Sequence, residues 1–232
     1  IGMTFTGLHA LGVPEPSLAG FPDEYAEGMA ARATKLGDVG RSAPANWDEP
    51  WADARRVHVI ATCHADSEDV LDAAEAEVLA AGGGRAFRLS GVRKGFNFDG
   101  DFVHFGYRDN ISQPRFEGIH DPAACPDSQP LAPRGTVRLG YPSEYEGLDW
   151  SLPIPAVLGE NGAFNAFRVL EQDVAGFEAF LDRAATALLT HPLAEELLPT
   201  GAEGRIGPDL TRHQALVEIV AAKLCGRWRN GV

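Results

Sequence analysis

The strongest constraint in this chain is a pair of helix-spaced apolar stripes near its C-terminal end. From Gln172 to Leu189, apolar residues Val174, Phe177, Leu181, Ala184 and Leu188 fall on one face. From Pro208 to Leu224, Leu216, Ile219, Val220 and Leu224 do the same. Each buried Leu or Phe is worth roughly 1.5–3 kcal/mol, so both faces must find a partner surface. A chain of 232 residues is long enough for one or two domains with a sizeable core.

Strand signals accompany these helices. The segment Met3–Leu11 alternates through Met3, Phe5 and Gly7 and predicts a strand. Arg56–Cys63 predicts a second. Ala86–Val92, Phe102–Tyr107 and Ala163–Leu170 are further strand candidates. Helices are predicted over Phe21–Gly37, with Gly37 as the stop, and from Asp66 or Ser67 through Ala81. In the second of these Val70, Leu71, Ala74 and Val78 should face inward, and Gly82-Gly83-Gly84 ends it. This order is close to a split β-α-β, ferredoxin-like α+β unit. The expected organisation is a ferredoxin-like domain at 1–120, a Pro-rich linking loop at 121–160, and the first part of a similar domain at 161–232.

Charge and composition exclude some functions. The net charge of −13 argues against nucleic acid, and against anionic membrane surfaces. No apolar run reaches the ~18 residues of a membrane span. The 26 glycines and 16 prolines point to abundant loops. Cys63, Cys125 and Cys225 are far apart and odd in number, which fits a reducing, cytoplasmic compartment rather than a disulfide framework. None of the seven histidines forms a His-x-x-x-His pair, and each taken alone is most simply structural.

One segment stands apart, Val103 to Ile119. An apolar run ends in Gly106, followed by the charged pair Arg108-Asp109, then Asn110 and a stretch closed by Pro114. Gly106 permits a close backbone approach, Asp109 sits at a strand end, and Asn110 tolerates a positive φ. The plain alternative is a turn with a surface Arg–Asp pair.

The segment Gly106-Tyr-Arg-Asp-Asn110 resembles the Gly-x-x-Asp-Gly motif of dye-decolorising haem peroxidases, in particular their long, loop-rich subgroup. The similarity extends through Phe21–Tyr25 with Leu36–Asp38, Leu139–Tyr145, Asn161–Phe164 with Phe167-Arg168, Gln172–Val174, and Ala222–Leu224 with Gly226-Arg227-Trp228. It covers nearly all of residues 3–231 in the family's order and corresponds to the N-terminal half to two-thirds of such an enzyme.

The resemblance implies two ferredoxin-like domains of the dimeric α+β barrel type with haem b between them. It implies reduction of hydrogen peroxide and oxidation of bulky organic reductants. By position the motif aspartate is Asp109, which would assist proton transfer on the distal side of the haem. Gly106, Arg108, Asp109, Asn110, Ile111, Ser112 and Gln113 would line the cofactor. Two departures matter. The motif's last glycine is Asn110 here. The family's proximal histidine and distal arginine lie beyond the Gly-Arg-Trp segment, and the sequence ends at Val232. No metal ligand is therefore assigned within the chain. The expected partner is the C-terminal remainder of the enzyme, as a second chain or fragment. The alternatives are a haem-free scaffold or binding module that retains the fold, and a haem iron-release activity.

Overall fold

A computed structural model describes residues 1–82, 85–96, 98–111, 113–124, 130–145, 150 and 152–231. Gly83, Gly84, Ser112 and Cys125 lie outside the described residues. The chain divides into two units: residues 1–94 with 114–167, and residues 95–113 with 168–232. These limits differ from the expected 1–120, 121–160 and 161–232, because 95–113 associates with the C-terminal helices.

In the first unit, β1 (Gly2–Met3) pairs antiparallel with β2 (Val59–Ile60), with Gly2 opposite Ile60 and Met3 opposite Val59. The strand expected over Met3–Leu11 stops there and gives way to α1 (Phe5–Ala10). Thr4 decides the switch. Its Oγ1 accepts the Gly7 N–H at 3.0 Å and donates to the Val57 carbonyl at 2.7 Å. A capped helical start outweighs an alternation of only three apolar positions.

After α2 (Glu15–Leu18) come α3 (Asp23–Ala31) and α4 (Ala33–Leu36). Together they occupy the helix expected over Phe21–Gly37. It is broken at Gly28, whose φ is 72°, and Gly37 ends it in a left-handed conformation. Tyr25 on α3 stacks against Phe5, Phe21 and Phe164 and donates its hydroxyl to the Met3 carbonyl at 2.6 Å. Burial holds this phenol's pKa above its ordinary value.

The helix α5 (Glu68–Ala81) begins at Ser67, whose Oγ accepts the Val70 N–H at 3.4 Å. Its expected inward face is a correction: no residue of α5 is buried, and Val70 is 58% and Val78 43% exposed. Later in the same unit, Leu139 N–H bonds the Gly162 carbonyl and Asn161 N–H bonds the Leu139 carbonyl. Tyr141 also donates to Asn161 Oδ1 at 2.6 Å. Two sequence segments quoted above, Leu139–Tyr145 and Asn161–Phe164, are thus tied together.

The second unit is built on α6 (Val174–Leu189) and α8 (Arg212–Cys225), with α7 (Ala194–Leu197) between them in sequence. Asp173 caps α6 by accepting the Gly176 N–H at 2.8 Å. Thr211 and Gln214 form a reciprocal capping box at the start of α8. The helices α6 and α8 pack against each other. Their core contains Ala185, Leu198, Ala202, Ala215, Leu216 and Ile219, joined by the partly buried Leu188 and Trp228. Leu181 and Ala221 are fully enclosed in a neighbouring cluster with Tyr107. The two C-terminal stripes therefore cover each other, except Leu224, which is exposed.

Mixed helix and one small ladder give the described residues an α+β composition. The expected strands over Ala86–Val92 and Ala163–Leu170 have no ladder partner among the described residues, and Arg56–Cys63 contributes only Val59–Ile60. A four-stranded ferredoxin-like sheet is not among them. Alternation reports which side chains share a face, whereas a strand also requires a second backbone at bonding distance. No helix of the described residues is long and apolar enough to cross a membrane.

Candidate functional site

The expected strand Phe102–Tyr107 is a tight hairpin in the second unit. Phe102 and Arg108 pair antiparallel, and Val103 N–H bonds the Tyr107 carbonyl at 2.9 Å. Gly106 N–H bonds the Val103 carbonyl at 2.8 Å, closing a turn over His104 and Phe105. Gly106 follows with φ 78°. A turn followed by a left-handed residue is a common three-residue hairpin loop, and glycine reaches that conformation without steric cost. The motif glycine thus has a local backbone reason.

The next residue anchors the hairpin. Tyr107 is buried against Leu181 and Ala221, and its hydroxyl donates to the Ala221 carbonyl on α8 at 2.6 Å. Burial raises the Tyr107 pKa, with the neighbouring Cys225 acting in the same direction. Phe105 stacks on Phe177 of α6 with ring centroids 4.8 Å apart.

Beyond Tyr107 the chain turns outward, and Arg108, Asp109, Asn110 and Ile111 are all exposed. Their backbone is nevertheless fixed. Arg108 N–H bonds the Arg229 carbonyl at 2.7 Å, and Asp109 N–H bonds the Asp101 carbonyl at 2.7 Å. The Arg108 carbonyl accepts a short hydrogen bond from the Arg227 guanidinium. Asn110 has φ 57°, so the residue standing at the motif's last position does adopt the left-handed conformation. Its Oδ1 accepts from Gln113 Nε2 at 3.1 Å.

The expected site residues Gly106 and Arg108–Ile111 thus form one continuous turn, with Gln113 bonded to it. Ser112 falls outside the described residues. Sequence reasoning missed Arg229. Its Nε and Nη2 grip Glu218 side-on, and Nη1 reaches Glu178 Oε1 at 2.9 Å. The hydrogen bonds to Glu218 come first in holding the guanidinium's pKa above its ordinary value. The only sequence signal was its place directly after Gly226-Arg227-Trp228.

The histidines are dispersed and none is buried. His104 stacks edge-on against Phe98, His120 Nδ1 accepts the Phe116 N–H at 3.0 Å, and His213 pairs with Asp182. Among the described residues no three His, Cys, Asp or Glu side chains converge as a metal site would require.

Three curated proteins match the chain from end to end. They are a dye-decolorizing peroxidase of Mycena epipterygia at 29% identity over 238 aligned positions, one of Mycetinis scorodonius at 25% over 237, and one of Auricularia auricula-judae at 26% over 237. The chain resembles dye-decolorizing peroxidases along its whole length. The alignments cover 99–100% of this chain but only 38–39% of each relative. The expectation of a part rather than a whole is met, at a smaller share than the half to two-thirds read from the sequence. No family model matches the chain.

Proposed function

We propose that this chain forms part of a haem-dependent peroxidase of the dye-decolorizing type, acting on hydrogen peroxide and a bulky organic reductant. The end-to-end similarity to three dye-decolorizing peroxidases carries the proposal. On this reading the two units are portions of ferredoxin-like domains, and the remainder of the enzyme is the chain's partner.

The residues present fit one side of a haem site. The turn Gly106–Ile111 offers an exposed carboxylate, a guanidinium and the apolar Ile111, with the backbone held at Arg108 and Asp109. On this reading the axial ligand of the iron comes from the partner portion, as the resemblance implies. Haem, when bound, supplies the redox chemistry.

Asp109 would act on the peroxide itself. Its exposed carboxylate can take a proton at one Oδ from one peroxide oxygen and return it to the other, provided both lie within hydrogen-bond reach. The backbone bonds on Arg108 and Asp109 hold the carboxylate's anchor still, which keeps that reach constant. Arg108 adjoins it as a second charged group, and Ile111 adds apolar surface next to the turn.

The test is Asp109→Asn in the haem-loaded enzyme, with the peroxide step followed by stopped-flow absorbance. The expected loss is about 10²–10⁴-fold, the usual range for general acid–base help. An unchanged rate removes Asp109 from the mechanism. The partner assignment is tested separately by adding haem to the chain alone and together with the rest of the enzyme. A Soret band is expected only with both; an equal band from the chain alone would return the iron ligand to this chain.

A further inference from the structure

We propose that Arg229 is the positioning residue for the Asp109 turn, acting as a charged bolt between the motif and the α6–α8 pair. This rests on the reading of Asp109 above and adds to it the residue that holds the aspartate's segment in place.

Four observations converge on Arg229 and the short segment that carries it. Its side chain is only 19% exposed, and its guanidinium is clasped from two helices, by Glu178 of α6 and side-on by Glu218 of α8. A side-on guanidinium–carboxylate pair fixes orientation as well as distance. Secondly, the side chain runs beneath Gly106. A Cβ on that glycine would sit 3.3 Å from Arg229 Nη1 and 3.6 Å from its Cδ. The motif glycine therefore has a second reason beyond its positive φ, since it lets the arginine pass close under the hairpin. Thirdly, the Arg229 carbonyl accepts the Arg108 N–H at 2.7 Å. Fourthly, two residues earlier, Arg227 bonds the Arg108 carbonyl.

The residue before Asp109 is thus held at both its N–H and its C=O by one short segment, and that segment is held by two glutamates. No other described interaction ties residues 108–110 to α6 or α8. Tyr107 anchors the hairpin from the preceding side. Releasing Arg229 should free the backbone at Arg108 and Asp109 while the apolar core of the pair stays closed.

The experiment measures amide hydrogen exchange on the 232-residue chain, with Arg229→Met and the conservative Arg229→Lys. In Arg229→Met the amides of Arg108 and Asp109 should exchange at least about tenfold faster, with Leu181 and Ile219 unchanged, because local opening is separable from global unfolding. Arg229→Lys, which keeps a charge between the two glutamates but loses the fork, should fall between Met and wild type. Unchanged exchange at Arg108 and Asp109 overturns the proposal. So does equal acceleration at Leu181 and Ile219, which would make Arg229 a general stabiliser. If Arg229→Met does not fold, Glu178→Gln, which weakens only one arm, carries the same comparison.

In the haem-loaded enzyme Arg229→Lys should slow the peroxide step and leave the KM for the organic reductant unchanged. Faster exchange with an unaltered peroxide rate would leave the bolt standing structurally and overturn its positioning role. An effect of Arg229→Lys that persists in an Asp109→Asn background would do the same. Asp109→Asn alone, without effect, would instead count against the function proposed above.

Discussion

The helical stripes on α5 and on α6 with α8 are both legible in the sequence, yet they differ in what they bury. In α6 and α8 the stripe is closed: Leu181, Ala185, Ala215 and Leu216 have no exposed surface. In α5 nothing is buried, and Val70, Val78 and Leu79 are well exposed. Both helices start from a side-chain cap, Ser67 for α5 and Asp173 for α6. Capping and spacing make a helix; only a second surface within reach makes a core. For α6 that surface is α8. Among the described residues α5 meets no such partner.

The largest effect that would break this comparison is a core truncation. Leu216→Ala should destabilise the second unit by about 2–5 kcal/mol, the range for buried Leu truncations. Val78→Ala on α5 should change stability by less than about 0.5 kcal/mol. Denaturant unfolding checks both, and similar losses would mean that α5 packs against something after all.

A smaller effect isolates the polar anchor of the second unit. Tyr107→Phe removes the hydroxyl that bonds the Ala221 carbonyl, costing about 0.5–1.5 kcal/mol, the net worth of one such hydrogen bond. The same phenol gives a pH signature. Its folded pKa lies above the ordinary value because burial disfavours the phenolate. Its contribution is therefore complete below the unfolded pKa of about 10 and is lost as pH rises from there through the folded value. Unfolding midpoints of wild type should fall as pH rises above about 10, and Tyr107→Phe should flatten that slope.

The smallest effect concerns Asn110. With φ 57° and an exposed side chain, Asn110→Gly should be tolerated, shifting stability by less than about 1 kcal/mol. Thermal unfolding checks it. A larger loss would show that the Gln113 bond to Asn110 Oδ1, rather than the left-handed backbone, is what the turn requires.

Legibility followed the range of each interaction. The stops at Gly37 and the caps at Ser67 were readable because a helix end depends on a few adjacent residues. The left-handed turn at Asn110 was readable for the same reason. Alternation over Met3–Leu11 predicts a strand, but Thr4, one residue after Met3, caps a helix there, and its cap is reinforced by the distant Val57 carbonyl. The apolar run Phe102–Tyr107 predicts a strand, whereas the turn closed at Gly106 folds it back on itself. In the candidate site, the order Gly106, Arg108, Asp109 is legible in the sequence, whereas Arg229 has only its place after Gly226-Arg227-Trp228 to mark it.

The sequence by itself determined local features: the helical stripes of α5, α6 and α8, the stop at Gly37, and the left-handed residue at the motif's end. These depend on side chains and backbone groups within a few positions of one another. The tertiary structure alone decided which stripes become core and what holds the aspartate's turn. Both depend on residues such as Glu178, Glu218 and Arg229, separated from the motif by tens of positions along the chain. Spacing along a sequence carries no information about such approaches until the backbone has folded to make them.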